Sequence, residues 1–214
     1  MTPRVREEWA RRVAAEYRSA GVTAQVLTWA IQAGLPPDLL HLATRIVTDE
    51  LDHARLSHEV LLAMGGEAEP VPLDAADLEV AGPFPHALVR AFCLGETFAV
   101  PFFAAMLRGT THPGARAVVE RVLRDEATHR AFGWEALDAL LTLDPALVAP
   151  LRAAMPALVH DLRGYADPPP APPVSPEERA CGLLDHVDYA AIYATTWEED
   201  VRPRLVARGL WSAG

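Results

Sequence analysis

One five-residue phrase occurs twice in this chain, as Asp49-Glu50-Leu51-Asp52-His53 and as Asp125-Glu126-Ala127-Thr128-His129. Each copy lies in a long apolar-periodic stretch with no Gly or Pro nearby. Residues three apart share a face of a helix, so Glu50 with His53, and Glu126 with His129, each form a two-toothed clamp for a metal ion. These are the only Asp-Glu dipeptides in the sequence, and both continue to a His at the same offset. Chance produces that coincidence on the order of once in 700. Both segments are therefore expected to be helical and to carry metal ligands.

The bulk composition sets the frame for that expectation. The chain has 214 residues, half of them hydrophobic and 22% charged, enough for one domain with a real core. Its formal net charge is −10, and no basic cluster is present, which argues against binding to nucleic acid or to an anionic membrane. Cys93 and Cys181 are too few and too far apart for a disulfide framework, a zinc site or an iron–sulfur cluster. The N-terminal residues have no apolar signal core, and no stretch is expected to reach the ~20 apolar residues of a membrane span. A cytoplasmic, reduced protein is the expectation.

Turn residues divide the chain into helices. Thr2-Pro3 offers a capping hydroxyl followed by Pro at the first helical position, and the pattern runs to Gly34. A second helix is predicted from about Asp38 to Gly65. The stretch from Glu67 to Pro85 holds four prolines and reads as a crossover. A third helix is predicted from about His86 to Gly109, a fourth from Thr111-His112-Pro113 to Leu143, and a fifth from Asp144-Pro145 to near Gly164. A Pro-rich connector at about 166–176 leads to Ser175-Pro176-Glu177-Glu178, a cap and first turn, and to one or two helices over 176–208. Strand signals are almost absent. The fold class expected is all-α: a four-helix bundle over residues 1–143, built as two helix pairs with one long crossover, and a helical extension over 144–214 packed on it.

The first member of each pair contributes a lone acid. Val5, Trp9, Val13, Glu16, Ala20, Thr23 and Leu27 form a stripe at helical spacing in which Glu16 is the only charge. In the third helix Val89, Phe92, Glu96, Ala99, Phe103 and Met106 do the same around Glu96, and Arg90 is the only other charged residue between Ala87 and Leu107. A lone buried carboxylate costs several kcal/mol unless it is paired or binds a metal. Glu16 and Glu50 are 34 residues apart, and Glu96 and Glu126 are 30 apart. At 1.5 Å per residue, travelling up one helix and down the next returns the chain to about the same level. Six ligands are thus predicted to converge on two metals: Glu16, Glu50, His53, Glu96, Glu126 and His129. The bland alternative is a bundle whose acids and histidines form buried salt bridges without metal.

Four carboxylates and two imidazoles resemble the centres of the ferritin-like superfamily, which includes bacterioferritin, rubrerythrin, the di-iron oxygenases and the reductase small subunits. The resemblance covers about residues 3–143. It implies two iron ions, with manganese or a mixed Mn/Fe pair as alternatives, and Asp49 and Asp125 standing behind the ligands. By analogy with the Asp-Glu-x-x-His oxygenases, Asp49 would accept the imidazole N–H of His129, and Asp125 that of His53. Ordinary ferritins lack a second His-bearing clamp, so His129 separates the chain from them. Bacterioferritins hold haem through a Met where this chain has Leu51, so no haem is expected. Rubrerythrins commonly add a Cys-rich domain that two isolated cysteines cannot build.

The remaining histidines, His41, His58, His86, His112 and His160, read as surface or cap residues, and His186 is less readily placed. Ala20, Thr23, Cys93 and Gly133 lie within one or two turns of ligands and are candidates for a pocket wall, with close helix packing as the equal alternative for Gly133. The function expected is an O₂- or peroxide-activating oxidase or oxygenase acting on a small organic substrate, supplied by an electron donor and compatible with a homodimer. The alternatives are a ferroxidase or iron-handling protein, and a peroxide scavenger like rubrerythrin or manganese catalase.

Overall fold

A computed structural model describes residues 1–67, 82–162 and 172–212. Every regular element among the described residues is helical. Helix α1 spans Pro3–Ala33 and α2 spans Pro37–Ala63. Helix α3 starts at Phe84–Leu88, is wound as a π-helix over Val89–Glu96 and continues as Thr97–Gly109. Helix α4 spans Pro113–Leu143, and α5 spans Val148–Asp161 after a 3₁₀ turn at Pro145–Leu147. Helix α6 is the short Pro176–Ala180, and α7 runs through His186–Thr196, a π segment Trp197–Val201 and Arg202–Ala207.

Local chemistry sets the ends of these helices. The Thr2 side chain accepts a hydrogen bond from the Val5 N–H, and Pro3 opens α1. Gly34 closes α1 at φ 75°, a left-handed conformation that favours glycine, and the Leu35 N–H then returns to the Ala30 carbonyl at 3.0 Å. His112 caps α4 through its own ring, and Ser175 with Glu178 forms a reciprocal capping box at α6.

A short turn makes α1 and α2 antiparallel neighbours along most of their length, and Thr110–His112 does the same for α3 and α4. The two hairpins meet chiefly through α2 against α4, while α1 touches α3 mainly at Phe84–Leu88. The helices carrying the two Asp-Glu-x-x-His phrases are thus packed face to face. Most of the predicted crossover, and residues 163–171 with the first part of the connector expected at about 166–176, lie outside the described residues. The extension is attached by the Trp9 indole N–H on the Cys181 carbonyl at 3.0 Å and by a near-parallel stack of Phe98 on Tyr193, centroids 4.6 Å apart.

Two sequence expectations are corrected. The α1 stripe stays buried through Thr23 but passes to Val26 and Ala30 instead of Leu27, because 3.6 residues per turn drift away from a strict stripe over a 31-residue helix. Helix α3 does meet the length and composition of a membrane span, with a mean hydropathy of 1.5 in its best window. Its few charges are the reason, and 56% of that window is buried against other parts of the chain.

The π segment of α3 is pinned to α4. The Cys93 thiol donates to the Gly133 carbonyl at 3.2 Å. The Trp134 indole N–H donates to the Thr97 hydroxyl at 3.0 Å, and that hydroxyl donates to the Cys93 carbonyl at 2.7 Å. Gly133 makes this approach feasible, since a Cβ there would lie 2.7 Å from both the carbonyl carbon and the Cβ of Phe92. Gly133→Ala is therefore expected to destabilise the protein by about 1–3 kcal/mol, measured as a lower urea midpoint with an unchanged slope.

Candidate metal centre

The two clamps face one another. His53, Glu50 and Glu16 offer ligand atoms within 4.8 Å of one another, as do His129, Glu126 and Glu50, and all five residues are buried. Glu50 belongs to both groups. Its Oε2 lies 3.5 Å from His53 Nδ1, and its Oε1 lies 3.4 Å from His129 Nδ1. Glu16 lies 3.8 Å from His53 Nδ1 and Glu126 lies 3.6 Å from His129 Nδ1.

These separations are too long for hydrogen bonds. Both Nδ1 atoms, Glu50 Oε2 and Glu126 Oε2 are buried without a hydrogen-bond partner. Two ligand atoms about 2.1 Å from a shared cation at angles of about 90–110° stand roughly 3.0–3.4 Å apart. Orphaned polar atoms converging at nearly that spacing fit a metal site, because unmatched burial of such groups costs free energy that coordination would recover. These Glu and His groups could hold metal ions.

The far side of each imidazole faces an aspartate from the opposite hairpin. His53 Nε2 lies 3.1 Å from Asp125 Oδ2, and His129 Nε2 lies 3.6 Å from Asp49 Oδ2. Both aspartates are buried, so neither is a solvent-exposed helix acid. The Asp125 carboxylate at His53 Nε2 holds an N–H on that nitrogen and would leave Nδ1 of the neutral ring as a lone-pair donor toward the cluster, whereas His129 Nε2 and Asp49 Oδ2, 3.6 Å apart, have no hydrogen-bond partner. Asp125 is held below the usual carboxylate range; burial opposes this, and Arg121 and His53 outweigh it.

Electrostatics inside the cluster follow from burying carboxylates and imidazoles together. Burial pushes Glu16 up to about 7 and Glu126 up to about 8. Burial also raises Glu96 well above its ordinary value, reinforced by the adjacent Glu126 charge and a shared hydrogen bond. Burial works against protonation of His53, but Glu16 and Glu50 overcome it and carry the imidazole up to about 11. His129 is raised in the same way, chiefly by Glu50 against burial. Glu50 goes down, because the two imidazoles outweigh its burial.

A cavity of about 240 Å³ reaches this cluster between α1 and α3. Glu16, Ser19, Glu50, Glu96 and Glu126 line it, together with Ala15, Phe103 and Met106. Glu96 is half-buried at the end of the π segment and reaches the cavity rather than either tight ligand group. Arg12 enters the wall with its charge directed to Glu8 at 3.0 Å and to the Gly182 carbonyl at 2.6 Å. Ala20, Thr23, Cys93 and Gly133 do not line this cavity. Thr23 turns its hydroxyl to the Ser19 carbonyl at 2.8 Å, and Cys93 with Gly133 forms the helix contact described above.

Two partners of the cluster escape a motif reading. The Ser19 hydroxyl donates to Glu50 Oε1 at 2.9 Å; its position one turn beyond Glu16 was the available signal. Arg121 contacts both aspartates, with Nη2 3.1 Å from Asp49 Oδ1 and Nε on Asp125 Oδ2. Here the signal was stronger, for an arginine precedes each phrase by four residues. The repeat is Arg-x-x-x-Asp-Glu-x-x-His, beginning at Arg45 and at Arg121.

Comparison with known protein families, with curated proteins and with solved structures gave no match. The functional reading of this chain therefore stands on the site itself.

The protonation pattern has a definite sign. Glu16, Glu96 and Glu126 hold protons in the folded chain where unfolded glutamates, ordinarily at 4.5, have lost theirs. Stability from these groups falls as pH rises from about 4.5 through 7 to 8. The raised His53 and His129 add a loss in the same direction above 6.5, and for His53 it is complete only near 11. Glu50, being depressed, adds stability that disappears below about 4.5. The metal-free protein is expected to be more stable near pH 5 than near pH 8 in urea titrations. Divalent metal should reverse that order and release protons, seen by calorimetry in buffers of different ionisation enthalpy.

Proposed function

We propose that this chain is a ferritin-like protein with a dinuclear metal centre that activates O₂ or peroxide to oxidise a small organic substrate. The observation carrying this reading is Glu50, one buried carboxylate whose two oxygens face two different orphaned imidazole nitrogens. Glu16 and His53 would complete one side and Glu126 and His129 the other, with Glu96 from α3 as the sixth ligand. Hard carboxylates with two imidazoles suit iron, manganese or a mixed pair, and two divalent cations would neutralise the four carboxylates. Such a pair supplies two electrons at one place for reduction of O₂ or peroxide.

The chain's own groups do the rest. Asp125 keeps the His53 proton on Nε2, and Asp49 faces His129 Nε2 at the longer distance of 3.6 Å. Ser19 holds Glu50 Oε1 by its hydroxyl, which limits rotation of the shared carboxylate. Phe103, Met106 and Ala15 give the cavity an apolar flank that would exclude water beside the ligands. With about 240 Å³, this cavity has room for a small organic molecule between α1 and α3.

The test is stepwise addition of Fe(II) and O₂ to the metal-free protein, with oxygen uptake and retained iron measured at each step. Prompt oxygen uptake with retention levelling at two irons per chain is expected, and Glu50→Ala should abolish both. Retention of iron far beyond two per chain, in a large hollow assembly on a sizing column, would support the iron-storage alternative instead.

A further inference from the structure

The Arg-x-x-x-Asp-Glu-x-x-His repeat places two arginines at equivalent positions, yet the fold uses them differently. Arg45 forms its ion pair with Asp49 of its own helix at 3.5 Å, and its side chain is 65% exposed. Arg121 is 31% exposed and reaches across from α4 to α2. Its Nε is hydrogen-bonded to Asp125 Oδ2 and its Nη2 to Asp49 Oδ1 at 3.1 Å, with Asp52 a further 3.9 Å neighbour. The same two aspartates back the two imidazoles: Asp125 on α4 faces His53 on α2, and Asp49 on α2 faces His129 on α4.

We propose that Arg121 is the positioning residue of the centre, a single guanidinium that fixes both Asp–His pairs and so sets the spacing of the two imidazole Nδ1 atoms. This rests on the dinuclear reading for its consequence, while the linkage itself is a property of the metal-free chain. A guanidinium is a rigid planar fork. Two carboxylates held on one fork cannot shift independently, and each faces an imidazole rooted in the other hairpin, Asp125 hydrogen-bonded to His53 and Asp49 in ion-pair range of His129 at 3.6 Å. The links form a crosswise lock over the α2–α4 seam, on the side of the cluster away from the α1–α3 cavity. Arg45 has no such reach, which makes it an internal control supplied by the repeat.

The role separates from plain structural support by what each variant moves. Arg121→Gln removes the fork that joins the two aspartates, leaving Asp49 with Arg45 and Asp125 with Arg124, each a residue of its own helix. Arg121→Lys keeps a charge four residues from Asp125 on the same helix but cannot span both carboxylates. In ¹⁵N-imidazole NMR of the metal-free chain, Arg121→Gln is expected to displace the Nε2 resonances of both His53 and His129. Arg121→Lys should displace only that of His129, and Arg45→Gln neither. In anaerobic cobalt(II) titrations, Arg121→Gln should weaken both binding steps by about 10- to 100-fold and alter the visible spectrum of the bound cobalt. Arg45→Gln should leave both steps as in the parent chain. Unmoved imidazole resonances in Arg121→Gln, or equal effects in the Arg45 and Arg121 variants, would overturn the assignment. Imidazoles that respond as stated in a chain that takes up fewer than two cobalt ions uphold the linkage and overturn the dinuclear reading instead.

Discussion

Everything in this molecule is arranged around buried polar atoms with no partner. Four of them, Nδ1 of His53 and of His129 with Oε2 of Glu50 and of Glu126, stand in pairs at 3.5 and 3.6 Å on α2 and α4. Leaving such groups dry and unpaired is expensive, and proton uptake offsets only part of the cost. The raised acids Glu16, Glu96 and Glu126 show the chain taking that partial remedy. A cation pair would serve better, because it answers these four atoms at once. The fold then reads as a scaffold holding α2 against α4 at the height where Glu50 meets both histidines.

The two sides of the cluster are built for different tasks. On the α2–α4 seam, Arg121, Asp49 and Asp125 close the surface with charge-assisted contacts, leaving the imidazoles little freedom. On the α1–α3 side the helices part beyond Phe84–Leu88, and a cavity opens onto the carboxylates. The π segment belongs to that second side. It ends at Glu96, where Gly95 leaves room for the wider winding, and Pro101 one turn later lacks the N–H that the Thr97 carbonyl would otherwise receive. An irregular helix thus brings a fourth carboxylate of the cluster to the cavity, while regular helices hold the five tightly grouped Glu and His residues.

Much of this was legible in the chain because helical spacing is a rigid ruler. Glu50 with His53, and Glu126 with His129, had to share faces once their segments were helical, and the lone acid Glu16 had to be explained by something buried. The Asp-to-His pairing followed from resemblance alone; His53 and Asp125 lie at hydrogen-bond distance, and His129 and Asp49 are 3.6 Å apart. Pocket walls were not legible: Cys93 and Gly133 are near Glu96 and His129 in sequence but serve the contact between α3 and α4. A linear pattern does not say whether a small residue admits a ligand or another helix. Arg121 was missed for a different reason. Its role depends on Asp49, 72 residues away, and only the repeat at Arg45 pointed to it.

The central claim is that Glu50 joins two cations into one centre. Iron-edge X-ray absorption of the anaerobically loaded protein tests it most directly. A metal–metal distance of about 3.5–4 Å, with imidazole scattering at both ions, is the predicted result. Iron without a metal neighbour within that range, or a single tightly bound ion per chain, would contradict it.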